Sequence, residues 1–340
     1  MRILVLGGTR FVGRAFVEAA LARVGRAFVE AALARHHEVT LFHRGKTNES
    51  LFPTVETILG DRETDLDRLK GRKWDVVVDT CGYVPRVVGL SVDTLREAVG
   101  RYISVYADPR PGADESAPLA TLGDPTVEEI TGETYGGLKV LCEAKVLCEA
   151  RVKEAFGERA TLVRPGLIVG PHDPTDRFTY WPMQFLHGGD VLAPKAPNTA
   201  VQAIDSRDLG SFMLRLAEND VSGTYNATGP TETLLFPEFL EETKVAIGST
   251  ARIVPVDPAF LAEHEVAPWT GLPFWVGDDD GIARIAIDRA RAAGLELRPL
   301  RETIRDTAVW RQTREEPLKA GISSEKAQAV LDAWAARISG

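Results

Sequence analysis

A doubly wound parallel α/β sheet with a smaller C-terminal lobe is the fold that the sequence predicts, and three observations predict it. A short apolar strand, Arg2 to Leu6, runs straight into glycines and then into an Ala-rich helical stretch ending near Arg35. The run WDVVVD at Trp74 to Asp79 is continuous and β-branched, as in a strand buried on both faces. Strand and helix patterns then alternate as far as Pro171, which implies parallel strands covered by helices on both sides. In order, Glu38 to Phe42 reads as the second strand and Thr57 to Leu59 as a weaker third. After the WDVVVD strand come a helix over Val87 to Val99 and a strand over Arg101 to Tyr106. Ala107 to Thr134, rich in Pro, Gly, Asp and Thr, reads as a long surface loop of the kind that carries function. Tyr135 to Phe156 reads as helix and Thr161 to Val169 as strand. Beyond Pro171 prolines and aromatics dominate, and Ser323 to Ile338 closes the chain as an amphipathic helix. The expected division is a first domain over 1–170, to which 200–230 returns through Gly223 to Ala227, and a second lobe over 171–199 and 231–340.

Composition narrows the function classes. A chain of 340 residues that is 44% hydrophobic and 26% charged is an ordinary globular protein. No apolar run approaches the roughly 18 residues of a membrane span, and the start MRILVLGGTR lacks the long apolar core of a secretion signal. The three cysteines form no CxxC pair, which favours a reducing, cytoplasmic setting. A net charge of −9 argues against nucleic acid as the main partner. None of the six histidines has a carboxylate or cysteine at metal-ligand spacing, and Asp278 to Asp280 reads as a solvated acidic turn, so no metal is expected. Phe178, Tyr180, Trp181, Trp269, Phe274 and Trp275 fit either an apolar, sugar-stacking pocket or ordinary core packing.

Two motifs carry chemistry. Gly7-Gly8-Thr9-Arg10-Phe11-Val12-Gly13 follows the first strand and opens the first helix. Glycines there permit a tight turn and let a pyrophosphate approach the backbone, where the helix N-terminus offers free N–H groups. Arg10 stands where the middle glycine of the usual dinucleotide fingerprint would be. At the end of the second strand, Phe42-His43-Arg44-Gly45-Lys46 holds no acid to accept from a ribose 2′-OH, and Arg44 suits a 2′-phosphate. The alternative is a solvated basic loop. NADP is therefore preferred over NAD. The second motif, Tyr135-Gly136-Gly137-Leu138-Lys139, sets a phenol and an ammonium four residues apart on one helix face. The ammonium lowers the phenol's pKa, so that the tyrosine exchanges a proton with a hydroxyl or carbonyl.

With these motifs the chain resembles the extended and atypical short-chain dehydrogenase/reductases, the NAD(P)-dependent epimerase/dehydratase superfamily, in a GGxxxxG subgroup labelled isoflavone-reductase-like or sugar-epimerase-like. GGTRFVG, VVDTCGY, SVYAD, YGGLK, LVRPGLIVGPHD and AIDSRDLG carry the resemblance, which runs to about residue 315. It implies a Rossmann-type fold. It implies Tyr135 as proton donor or acceptor, with Lys139 lowering its pKa and holding the nicotinamide ribose. Gly7, Gly8, Thr9, Arg10, Phe11 and Gly13 would surround the pyrophosphate. Asp61 and Arg62 would lie beside the adenine, Cys81 and Gly82 along the cofactor, and Pro165 and Gly166 at the nicotinamide. Relatives place a catalytic hydroxyl four residues before the tyrosine of the VY pair, where this chain has Tyr102. Ser104 is the nearest hydroxyl, in a segment about five residues short of the usual pattern. The implied function is an NAD(P)-dependent oxidoreductase or epimerase/dehydratase acting on a small hydroxyl- or carbonyl-bearing substrate, including a nucleotide sugar, with a homodimer left open. A dinucleotide-binding sensor or scaffold and an RNA-binding relative remain as alternatives.

Two tandem repeats interrupt this pattern. VGRAFVEAALAR occupies Val12 to Arg23 and again Val24 to Arg35; KVLCEA occupies Lys139 to Ala144 and again Lys145 to Ala150. Units this short are no solenoid. Twelve and six extra helical residues turn the following face by about 120° and 240°, so one copy of each is surplus to a single apolar stripe. The expectation is that the core uses one dodecapeptide copy while the other is extruded as a loop or protruding turn. Because the hexapeptide repeat begins at Lys139, the Tyr135–Lys139 pair is expected to stay at the cofactor.

Overall fold

The computed structural model describes residues 1–7, 16–45, 51–82, 84–105, 114–116, 138–277 and 283–339, with the side chains of 16–23 and 138–145 outside that description. It divides into two compact units, residues 1–168, 206–228 and 285–296 in the first, and residues 169–205, 229–284 and 297–340 in the second.

The first unit is built on a seven-stranded sheet. Its strands are β1 (Arg2–Leu6), β2 (Glu38–His43), β3 (Glu56–Leu59), β4 (Trp74–Asp79), β5 (Val99–Ser104), β6 (Ala160–Pro165) and β7 (Gly223–Ala227). All neighbours pair in parallel, in the order β7-β6-β5-β4-β1-β2-β3. The chain winds outward one way from β1 through β3, then crosses back to β4 and winds the other way. The reversal falls between β1 and β4, where the register sets Leu6 beside Asp79. In open sheets of this kind, ligands bind outside the carboxyl ends of the strands that flank such a reversal. The expected strand over Thr161 to Val169 ends instead at Pro165, with Ile168–Val169 forming a separate short strand. Pro165 explains the break, since proline has no N–H to continue the ladder.

Helices α1 (Phe16–Ala34), α2 (Pro85–Leu95), α3 (Leu138–Phe156) and α4 (Ser206–Glu218) belong to the same unit. The helix expected over Val87 to Val99 starts earlier and stops at Leu95, because Pro85 suits a first turn and Val99 already pairs with Trp74 in the sheet. On one sheet face, Leu4, Leu6, Val77, Tyr102 and Leu162 pack with Val88, Val92 and Leu95 of α2 and with Cys148, Val152 and Phe156 of α3.

The repeats are handled by continuous helix. α1 passes through the Arg23–Val24 junction without a break, so neither copy is looped out between Phe16 and Ala34. The second copy is packed: Val24, Ala27, Phe28, Val29 and Ala32 are buried. A Cβ added to Gly210 of α4 would stand 2.8 Å from backbone atoms of Ala27 and Phe28, so the two helices touch backbone to backbone there. The end of that copy is tied down as well. Arg35 donates to Glu218, and His37 Nε2 lies 2.8 Å from the same carboxylate. Burial works to raise the Glu218 pKa, but the His37 hydrogen bond and the Arg35 charge outweigh it and hold the group below its ordinary value. A depressed carboxylate stabilises the fold above its unfolded pKa, and that contribution is lost as pH falls through the folded one. Glu218→Gln should therefore flatten the acid limb of the stability–pH curve by at most about 1 kcal/mol, with little change in shape at neutral pH. Unchanged acid-limb melts would contradict this.

In the second unit the aromatic residues settle on packing. Phe178, Tyr180, Trp181, Phe274 and Trp275 are buried, with ring pairs such as Phe178–Phe274 at 5.5 Å and Trp181–Phe236 at 5.3 Å. Of the six, Trp269 is half-buried, with the Arg177 guanidinium 4.8 Å from its ring centroid. The closing helix spans Ser324–Ser339.

Candidate functional site at the carboxyl ends of the strands

β1 ends at Leu6, and Gly7 turns away with φ +97, a conformation that L side chains rarely adopt. Its N–H still donates to the Phe42 carbonyl at 3.1 Å. A Cβ there would lie 3.1 Å from Thr80 Oγ1 and 3.4 Å from Cys81 Sγ, so the backbone after β1 passes close against the side chains that follow β4. Thr80 in turn donates its N–H and its hydroxyl to the Leu6 carbonyl, at 3.4 and 3.3 Å. Thr80 was not singled out by the sequence; only the pairing of β1 with β4 brings it here. Gly8, Thr9, Arg10, Phe11 and Gly13 lie outside the described residues, as does Tyr135.

Beneath this turn sits a buried charge network. Asp79, fully buried, accepts from Nη1 and Nη2 of Arg62, from the Tyr102 hydroxyl at 2.5 Å and from the Cys81 N–H at 3.0 Å. Arg62 also donates to Ser91 Oγ at 2.7 Å and to Cys81 Sγ at 3.2 Å. A guanidinium engaged in this way is committed to β4 and α2. Arg62 thus fixes the end of β4 from inside the fold. Tyr102 is likewise committed inward, with its ring 4.9 Å from that of Phe156. Burial pushes the Cys81 thiol up to about 12, and the Asp79 carboxylate beside it adds to the rise. Cys81 is therefore a neutral thiol at physiological pH and no nucleophile.

Ser104, the last residue of β5, is fully buried, and its Oγ has no hydrogen-bond partner among the described residues. It lies on the same sheet face as Tyr102, the face covered by α3. An orphaned buried hydroxyl at a strand end is costly unless something binds there. At the next strands, Pro165 closes β6 and Gly166 follows it with no room for a side chain, because Thr228 Oγ1 occupies that space. Thr228 Oγ1 is also buried without a partner among the described residues. Gly82 is buried in the turn after β4. At the far end, Arg44 Nη1 and Asp61 Oδ2 lie 3.5 Å apart, so the cation after β2 faces the acid after β3. Lys139 stands in the first turn of α3, its side chain outside the description. No group of three or more His, Cys, Asp or Glu among the described residues is placed to hold a metal ion. Nor is any helix among them long and apolar enough to cross a membrane.

These residues fit a dinucleotide: a left-handed glycine at the strand reversal, a basic side chain after β2 and, at the end of β5, a buried hydroxyl with no partner among the described residues. No family model and no curated protein matches the sequence. Solved structures do match. The chain is similar to the Bordetella bronchiseptica enzyme WbmH in complex with NAD+, with TM-score 0.63 and 13% identity, covering 92% of this chain and 98% of that one. It is similar to UDP-N-acetylglucosamine 4-epimerase from Bacillus cereus, with TM-score 0.63 and 12% identity over 94% and 99% of the two chains. The UDP-glucose 4-epimerase of Thermotoga maritima, solved with UDP-glucose, matches with TM-score 0.60 and 15% identity over 92% and 99%. The chain has the fold of these structures, a Rossmann-type, doubly wound parallel sheet with a smaller second unit.

Proposed function

We propose that the protein is an NAD(P)-dependent enzyme of the epimerase/dehydratase and reductase type, acting on a hydroxyl- or carbonyl-bearing substrate of the nucleotide-sugar class. The observation that carries this reading is Gly7, left-handed and closed against Thr80 and Cys81 where the strand order reverses. A bound nicotinamide dinucleotide supplies the hydride acceptor or donor of the reaction. The chain's part is to hold it and to manage the proton. Gly7, Gly8, Thr9, Arg10, Phe11 and Gly13 receive the pyrophosphate; Arg44 and Asp61 border the adenosine end; Cys81, Gly82, Pro165 and Gly166 line the path toward the nicotinamide. The Tyr135–Lys139 spacing is that of a pair that moves the proton at the reacting oxygen when its helix holds it in register with the site. Ser104 donates a hydrogen bond to that oxygen, a use for its otherwise orphaned hydroxyl. A screen of UDP- and dTDP-sugars that follows nicotinamide absorbance tests the reading, and a chain that binds neither NADH nor NADPH would sink it. A second reading, dinucleotide binding with little turnover, is favoured by Tyr102 in the place of the hydroxyl. Bound dinucleotide with no turnover on any sugar would support it.

Cofactor preference follows from the Arg44–Asp61 pair. Arg44 favours a 2′-phosphate, while Asp61, 3.5 Å from it, repels one. Arg44→Asp should weaken NADPH binding well beyond NADH binding, by one charge-assisted contact of about 1.5–3 kcal/mol. Asp61→Asn should shift the ratio the other way. Equal losses for both dinucleotides on Arg44→Asp would remove the 2′-phosphate assignment.

A further inference from the structure

α3 runs antiparallel to the strands it covers. Its last residue, Phe156, packs on Tyr102, which pairs with Ala160 at the start of β6, whereas Glu149 reaches Arg164 near the end of β6. Cys148, Val152 and Phe156, spaced four apart, form the buried stripe. Glu149 is 2% exposed and accepts from Arg164 Nη2 at 2.8 Å and from its Nε at 3.2 Å, an ion pair with both side chains almost fully buried. Cys148 and Glu149 belong to the second KVLCEA copy. The second copy therefore sets the register of the helix on the sheet, because it leads directly into the stripe that ends at Phe156.

Counting back from Glu149 along this unbroken helix, the residue one turn nearer the strand ends on the same side is Lys145. Lys139 stands six residues earlier still, about 9 Å further along the axis and about 240° around it. We propose that Lys145, not Lys139, is the lysine in register with the dinucleotide site, and that the duplicated hexapeptide has moved the Tyr135–Lys139 pair out of that register. The residue four before Lys145 is Leu141, so no phenol precedes the in-register lysine. Removing one copy returns a tyrosine to that spacing. The inference rests on the dinucleotide-binding reading above and replaces the expectation that the pair keeps its place.

The test has three arms. Melting midpoints of Glu149→Gln and Glu143→Gln read the register without any ligand. Only the copy that pairs with Arg164 should matter, so Glu149→Gln should melt far below the parent and Glu143→Gln close to it. NADPH fluorescence titration then compares Lys145→Met with Lys139→Met in the full chain. A loss of about tenfold is expected for Lys145→Met and less than twofold for Lys139→Met. In a chain lacking Lys145 to Ala150, Lys139, the one repeat lysine left, should become the sensitive one, and turnover on UDP-glucose should rise about a hundredfold if that sugar is a substrate. The reverse order in the melts, or equal losses for the two lysines, would overturn the inference. Failure of every chain to bind NADPH would instead overturn the dinucleotide-binding reading, with the melts still reporting the register.

Discussion

Asp79→Asn should cost about 3–5 kcal/mol of folding stability, because it strips the counter-charge from a buried guanidinium. Asp79 is fully buried and the Arg62 side chain is 10% exposed, so water does little to replace the lost carboxylate. The asparagine keeps the shape and one carbonyl acceptor for Tyr102 or Cys81. What it loses is the two-nitrogen grip on Arg62. Urea unfolding measures the effect as a fall in midpoint with an unchanged slope. Pairing the change with Arg62→Met should recover part of the loss, since replacing both charges with neutral groups avoids leaving either one buried and unpaired. A cost below about 1 kcal/mol for Asp79→Asn would show that water reaches Arg62 and that the network does not fix the end of β4. The same variant should weaken dinucleotide binding, because the Thr80–Cys81 turn that closes on Gly7 hangs from Asp79.

Excision of one dodecapeptide copy should leave the fold intact and tighten dinucleotide binding by about tenfold or more, the scale of one or two charge-assisted backbone hydrogen bonds. The two copies are identical, so removing Val12 to Arg23 or Val24 to Arg35 yields the same polypeptide. In that product Val12 takes the place of Val24, and Gly13 that of the buried Gly25. The link from Gly7 to the packed part of α1 then shortens to four residues, a normal length for a strand-to-helix turn. In the present chain α1 is already helical at Phe16, eight residues and about 12 Å before Val24. The free N–H groups and positive potential of a helix act only within its first turn. In the shortened chain the first turn of the packed helix follows Gly7 directly, where that short-range attraction acts on a pyrophosphate. Tm should rise by a few degrees, because a shorter connection costs less entropy to close. A lower Tm would mean that residues 16–23 also carry packing, and an unchanged affinity would separate the helix start from the dinucleotide site.

Much of the fold was legible locally. The run WDVVVD, the strand before Gly7 and the return through Gly223 to Ala227 are segments whose own residue types and spacing demand burial in a parallel sheet. The left-handed turn at Gly7 needs a residue without a Cβ, and the glycine itself announces it. Other positions were legible only as residue types. Arg62 was visible as a cation after β3, yet its role depends on Asp79, Ser91 and Tyr102, which arrive from β4, α2 and β5. The aromatic residues of the second half suited a pocket as well as a core until their rings were seen stacked on one another. Ser104 became distinctive because nothing among the described residues pairs with its buried hydroxyl.

The repeats mark the boundary most sharply. Two identical copies carry identical propensities and identical hydrophobic patterns, so nothing in either copy says which one the core uses. By itself, then, the sequence determined the alternation of strands and helices, the glycine turn and the chemistry on offer at the strand ends. Tertiary structure alone decided that Phe28 meets Gly210, that Glu149 meets Arg164 and that Arg62 turns inward. Those contacts join elements far apart in the chain, and their burial energies arise only when both partners are in place.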